Sequence, residues 1–170
     1  MLEQIKTDFE KSIKSLNLTD KKVELRKKKL ENFIEKGFPN KRVEEWKFSD
    51  LNQIISSNIK ELSFFNKVTE QSNFDQSIIV KNFDHNKIIF INGLLSKIDF
   101  EYEEKNSIEI IENDDLESIE DTKNSLIHLN GAFRNSYLKI TIKKRYLLKK
   151  PLIIYHINND KISQKAINQK

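Results

Sequence analysis

Apolar residues at Leu2, Ile5, Phe9, Ile13 and Leu16 recur at steps of three and four. That stripe predicts an amphipathic helix. Asn17 and Leu18 interrupt it, and Thr19 or Asp20 can cap a second helix. The second helix would turn Val23, Leu30, Phe33 and Ile34 inward. Gly37 stands where a left-handed residue closes a helix, and Pro39 follows it. The short connection between the two helices predicts an antiparallel hairpin. Residues 43–56 predict a helical turn and then a short helix around Leu51, Ile54 and Ile55. Residues 57–77 have no stable period. There Leu62, Phe64 and Phe65 are expected to grip an apolar surface.

From residue 78 the β-branched residues dominate. Residues 78–80, 88–91, 94–100 and 108–111 are strand-length runs, and Asn92-Gly93 is a strong turn signal between two of them. NDDLESIED at 113–121 predicts an acid-rich loop entering a short helix. Residues 124–133 predict a helix with Leu126, Leu129 and Phe133 on one side. Tyr137, Lys139 and Thr141 alternate with Leu138, Ile140 and Ile142, the mark of a half-buried strand. Lys149-Lys150-Pro151 leads into a last strand over 152–157. The expected fold class is α+β. The expected division is a helical domain over 1–60, an irregular linker over 61–77, a β-rich part over 78–157 and a polar, frayed tail over 158–170.

Composition narrows the chemistry. The 170 residues hold no cysteine, so this chain offers no disulfide framework, thiolate zinc site, cysteine-ligated cluster or cysteine nucleophile. That suits a reducing cytoplasm, the expected location. No apolar run approaches the roughly 20 residues that span a bilayer, so no membrane partner is expected. Thirty bases against 26 acids leave a net charge of +4. KKVELRKKK at 21–29 is the densest basic run, and it reads as a solvated helix face around Val23, Leu25 and Leu30. No nucleic-acid partner is expected from it. A small basic nucleic-acid-binding module is the alternative, and salt-dependent retention on DNA would be its sign.

Motifs for catalysis are absent: there is no Walker A loop, GxGxxG, HExxH or GxSxG. His85, His128 and His156 lack partners at metal-ligand spacing. They read as a turn residue, a partly exposed helix residue and a strand residue with one bonded ring nitrogen. The acid clusters Glu44-Glu45, Glu101/Glu103/Glu104 and Asp114-Asp115 read as solvated. Acid–base work needs one carboxyl desolvated, so no catalytic residue, cofactor-binding residue or metal ligand is assigned and the chain is not expected to be an enzyme. A rival using Glu44–Glu45 or Asp114–Asp115 would have to show a bell-shaped pH–rate profile.

The only tryptophan, one of two prolines and one of three glycines fall in GFPNKRVEEWKFSDL at 37–51. Read physically, it is a corner. Gly37 ends a helix, Pro39 fixes the exit, Trp46 and Phe48 bury against the helices, and Lys41 or Arg42 pairs with Glu44 or Glu45. The same run resembles a signature of the SufD family, scaffold subunits of the SUF machinery for iron–sulfur cluster assembly. Gly37, Phe38, Pro39, Asn40, Lys41, Arg42, Val43, Glu44, Glu45, Trp46, Lys47, Phe48 and Ser49 match it in order, with Asn40 where Thr or Ser is common. IIFINGLLSK at 88–97 and SLIHLNGAFRNSYLKITIKKRYLLKKPLIIYHI at 125–157 resemble the two blocks that follow in that family.

The resemblance implies a helical start followed by the first coils of a right-handed parallel β-helix. It implies the N-terminal part of a longer scaffold, here a fragment or a truncated member, whose partners in the intact protein are SufB and SufC. It places no cofactor on this chain, since an iron–sulfur cluster would be handled by the complete complex. The paralogous SufB family is the nearest rival, and the 37–49 run speaks against it. An unfinished solenoid would leave the strand at 152–157 open to self-association.

Overall fold

The computed structural model describes residues 1–58, 63–64, 74–113, 123–134 and 137–158. The expectations for Leu62, Phe65, residues 114–121 of the acid-rich loop and the tail beyond Asn158 lie outside these, while Asn113 ends a strand. The chain is mixed α and β. Its described elements are α1 (Leu2–Ser15), α2 (Asp20–Lys36), α3 (Leu51–Asn58), β1 (Asn86–Ile91), β2 (Leu94–Asp99), β3 (Ile108–Asn113), α4 (Ser125–Phe133), β4 (Tyr137–Ile142) and β5 (Leu152–Ile157). They fall into two compact units. One is drawn from residues 1–66 and 114–137, the other from 67–113 and 138–163.

The helical unit closes around phenylalanine. Ile5 and Phe9 of α1, Leu30 and Phe33 of α2, Phe64, and Leu129, Ala132 and Phe133 of α4 form one buried cluster. Phe33 and Phe38 meet edge to face at 5.0 Å, as do Phe9 and Phe133 at 5.9 Å. Phe64 is held by more than its ring, because its N–H donates to the buried Asp8 carboxylate at 2.9 Å. The buried face of α1 is therefore not the apolar stripe alone: Leu2 is exposed, while Asp8 and Ser12 are buried.

The expected antiparallel pairing of α1 and α2 is not what forms. The main partner of α2 is α4, from about a hundred residues further along, and α1 touches α4 more lightly. A buried cation explains the choice. Arg26 is 1% exposed; its guanidinium donates to Ala132 O at 3.1 Å and to Arg134 O. These carbonyls close the C-terminal end of α4, where cationic charge is favoured by the helix dipole. The basic run at 21–29 is thus not simply a solvated face. At the other end of α4, the Asn124 side chain accepts from Leu126 N–H at 3.0 Å as its N-cap.

In the second unit, β1 is the middle strand of a sheet ordered β2-β1-β5. It pairs antiparallel with β2 through the Asn92-Gly93 turn, where both residues have positive φ (51° and 83°). It pairs parallel with β5, Asn86 opposite Leu152 through Ile91 opposite Ile157. Consecutive side chains of a strand point to opposite faces, and Ile88, Ile89, Phe90 and Ile91 are all buried, so both faces of β1 are covered. Ile89, Ile91, Tyr155 and Ile157 form the core of this unit, with Phe74, Ile79 and Ile153 against it. Residues 78–80 are not a strand: Gln76–Ile78 is a single 3-10 turn, with Asp75 accepting from Ser77 N–H at its start. Strands β3 and β4 make a separate two-stranded sheet.

Candidate functional site

The corner at 37–51 is built from backbone bonds more than from buried rings. Gly37 ends α2 at φ 69°, ψ −169°, its N–H returning to Phe33 O at 2.7 Å. Only glycine adopts that region without strain. Phe38 then turns onto Phe33 of the core. Pro39 is buried, and its carbonyl accepts from Leu51 N–H at 3.1 Å, tying the start of α3 to the end of α2. Asn40 accepts from Arg42 N–H at 2.9 Å through its side chain and from Val43 N–H at 3.0 Å through its carbonyl. A 3-10 turn spans Glu44–Trp46, and Ser49 N–H returns to Trp46 O at 2.7 Å. Asp50 caps α3 by accepting from Gln53 N–H at 2.9 Å.

The expected burial of Trp46 and Phe48 does not occur. Trp46 is half-buried and lies outside the phenylalanine cluster, and Phe48 is 87% exposed. The Lys47 ammonium sits 5.2 Å from the Phe48 ring centroid. The acid pairing also differs. Lys47, not Lys41 or Arg42, meets Glu44, at 3.3 Å, and Glu45 is exposed. Lys41 and Arg42 instead line an open groove of about 560 Å3 with Lys36, Phe38, Leu2 and Asp50. Phe38 with Gly37 and Pro39 thus serves the fold, while Lys41, Arg42, Glu45 and Phe48 remain at the surface.

A second constellation went unseen in the sequence. Glu103, whose acid cluster reads as solvated in the sequence, is only 8% exposed. Its carboxylate accepts from Tyr146 OH at 2.6 Å, Asn86 Nδ2 at 2.7 Å, Lys149 N–H at 3.0 Å and Lys150 N–H at 3.1 Å. Burial alone would raise its pKa, but the four donors outweigh that and bring it down to about 2. Asn86 also donates to Lys150 O at 2.8 Å. The node fixes the entrances of β1 and β5 side by side. A carboxylate so saturated is an anchor, with no proton to exchange near neutral pH.

Of the histidines, His156 is a strand residue of β5 as expected, whereas His128 is not partly exposed. His128 is fully buried in α4, with Lys36 Nζ at 3.4 Å from its Nε2. His85 is 3% exposed. Its Nδ1 lies 2.6 Å from Phe83 O, so it donates there, and Nε2 then accepts from Tyr155 OH at 2.8 Å. His156 is exposed and stacks on Phe90 at 5.2 Å. Among the described residues no three His, Asp or Glu side chains come together to hold a metal, and no helix is long and apolar enough to cross a membrane.

No family model matches the chain. Its similarity is to a protein of iron–sulfur cluster assembly. Over 130 residues, 75% of this chain, it is 24% identical to the iron-sulfur cluster assembly protein SufD of Escherichia coli strain K12. The chain spans about 30% of the length of that relative.

Proposed function

We propose that this chain is the N-terminal part of a SufD-like scaffold for iron–sulfur cluster assembly. The observation that carries the reading is the similarity to SufD across three quarters of the chain. On this reading the chain is not an enzyme, and a cluster is cargo of the whole assembly rather than a resident of these residues. The intact protein would work with SufB and SufC.

The parallel register of β1 and β5 over six residue pairs supports the finer architectural reading. Successive turns of a parallel β-helix stack in this manner, each turn burying its apolar side on the next. The helical unit, which includes α4, would then be a cap, and the strands of the other unit the first coils of a solenoid. The 37–49 run would be the corner that sets the cap, with Lys41, Arg42, Glu45 and Phe48 left for a partner.

Affinity purification of the tagged full-length protein from its own cells tests the proposal. SufB and SufC should co-purify in stoichiometric amount. Their absence from the eluate, with the tagged protein folded and abundant, would overturn it.

A further inference from the structure

Between β4 and β5 the chain reads KKRYLLKK at 143–150, five bases in eight residues. The loop is pinned. Lys143 N–H donates to Ser107 O at 3.0 Å, and Tyr146 N–H returns to Lys143 O at 3.0 Å. Tyr146 OH and the Lys149 and Lys150 amides are held by Glu103. Arg145 sits at φ 69°, a region sparsely used by residues with a Cβ.

The charge on this loop is divided. Lys149 pairs with Glu104 at 3.2 Å and Lys150 with Asp84 at 3.1 Å. Lys143, Lys144 and Arg145 are exposed and meet no acid among the described residues. Beside them Leu147 is 85% exposed. An isolated exposed leucine is ordinary. One held on a pinned turn beside three uncompensated cations is a shaped feature with a definite charge.

We propose that residues 143–147 form a docking turn for an acidic segment of a partner protein, with Leu147 entering an apolar pocket on that partner. The three cations would steer and orient the encounter, and the leucine would slow dissociation. Two other occupants fit less well. Even a myristoyl chain holds a protein to a membrane only marginally, so a single leucine is a poor anchor. Single-stranded nucleic acid needs aromatic platforms, and the loop's one ring, Tyr146, is half-buried with its hydroxyl bonded to Glu103. Pre-pinning removes part of the ordering cost of binding.

A photo-crosslinking residue, benzoylphenylalanine, placed at position 147 of the full-length protein in its own cells tests this. The expected product joins position 147 to a peptide rich in Asp and Glu. That peptide, synthesised, should bind the protein more weakly as salt rises. Its Kd should increase at least about tenfold for K143E/K144E/R145E and for Leu147→Ser, with thermal melting unchanged because all four side chains are exposed. Crosslinks only to lipid, nucleic acid or this chain itself would overturn the proposal. So would a peptide without acidic excess, an affinity indifferent to the substitutions, or no product beyond that given by the same crosslinking residue placed as a control at exposed Lys105. An acidic peptide from a protein unconnected with iron–sulfur assembly would keep the docking turn and remove the SufD-like reading.

Discussion

Single residues here differ more in what holds them than in how hydrophobic they are. Glu103 has a folded pKa of about 2 against an ordinary value of 4.5. The unfolded chain therefore binds its proton first as pH falls, so stability rises with pH in that range. The contribution is fully present above about pH 4.5 and is lost as pH falls toward 2. Urea melts of the wild type and of Glu103→Gln should diverge above pH 4.5 by about 2–3 kcal/mol and converge toward pH 2. A constant offset across that range would show that the carboxylate charge is not the cause. Trp46 is the opposite case. Half-buried and outside the core, it should cost about 1 kcal/mol on truncation to Ala, whereas Phe33→Ala should cost about 3–5 kcal/mol. Indole emission should lie between the buried and fully hydrated limits, and an emission maximum at the buried limit would contradict the placement.

At the level of elements, local features were legible and distant ones were not. The apolar steps of α1 and α2, the Asn92-Gly93 turn and the alternation of β4 depend on neighbours a few residues away, and the sequence displays them. Gly37 belongs with these, since its role follows from backbone geometry. A Cβ there would meet nothing within 4 Å, yet its φ of 69° with ψ near −169° excludes other residues without strain. Gly37→Ala should therefore cost about 1–3 kcal/mol in denaturant melts despite the open space; a neutral result would mean the corner relaxes freely. The pairing of α2 with α4 was not legible, because Arg26 and its acceptor Ala132 are 106 residues apart. Glu103 was missed for the same reason: its donors on Tyr146 and the two lysine amides lie 43 to 47 residues away. At the candidate site, the sequence marked the 37–51 corner by its rare residues. It could not tell that Phe38 packs inward while Phe48 faces water, since both are aromatic residues of the same corner.

For the molecule as a whole, the consequence lies at β5. It is the last strand in the order β2-β1-β5, so one of its edges is bonded to β1 and no described strand lies on the other. Leu152, Ile153, Ile154, Tyr155 and Ile157 make it apolar, and Ile154 is 48% exposed. An edge of that kind templates pairing with another chain. The cations at 143–145, in the loop that precedes β5, oppose the approach of a second copy, and salt screens that repulsion. The isolated chain should therefore self-associate, and more strongly in high salt than in low. Light scattering over rising concentration should show a mass above the monomer at high salt, and Ile154→Lys should return it toward the monomer by placing charge on the open edge. Because Ile154 is half-exposed, this change should leave the thermal melt within about 0.5 kcal/mol of the wild type. A strict monomer at both salt levels, up to concentrations of about 100 times those used for routine melts, would mean that the edge is covered within the chain and that β5 does not present it to solvent.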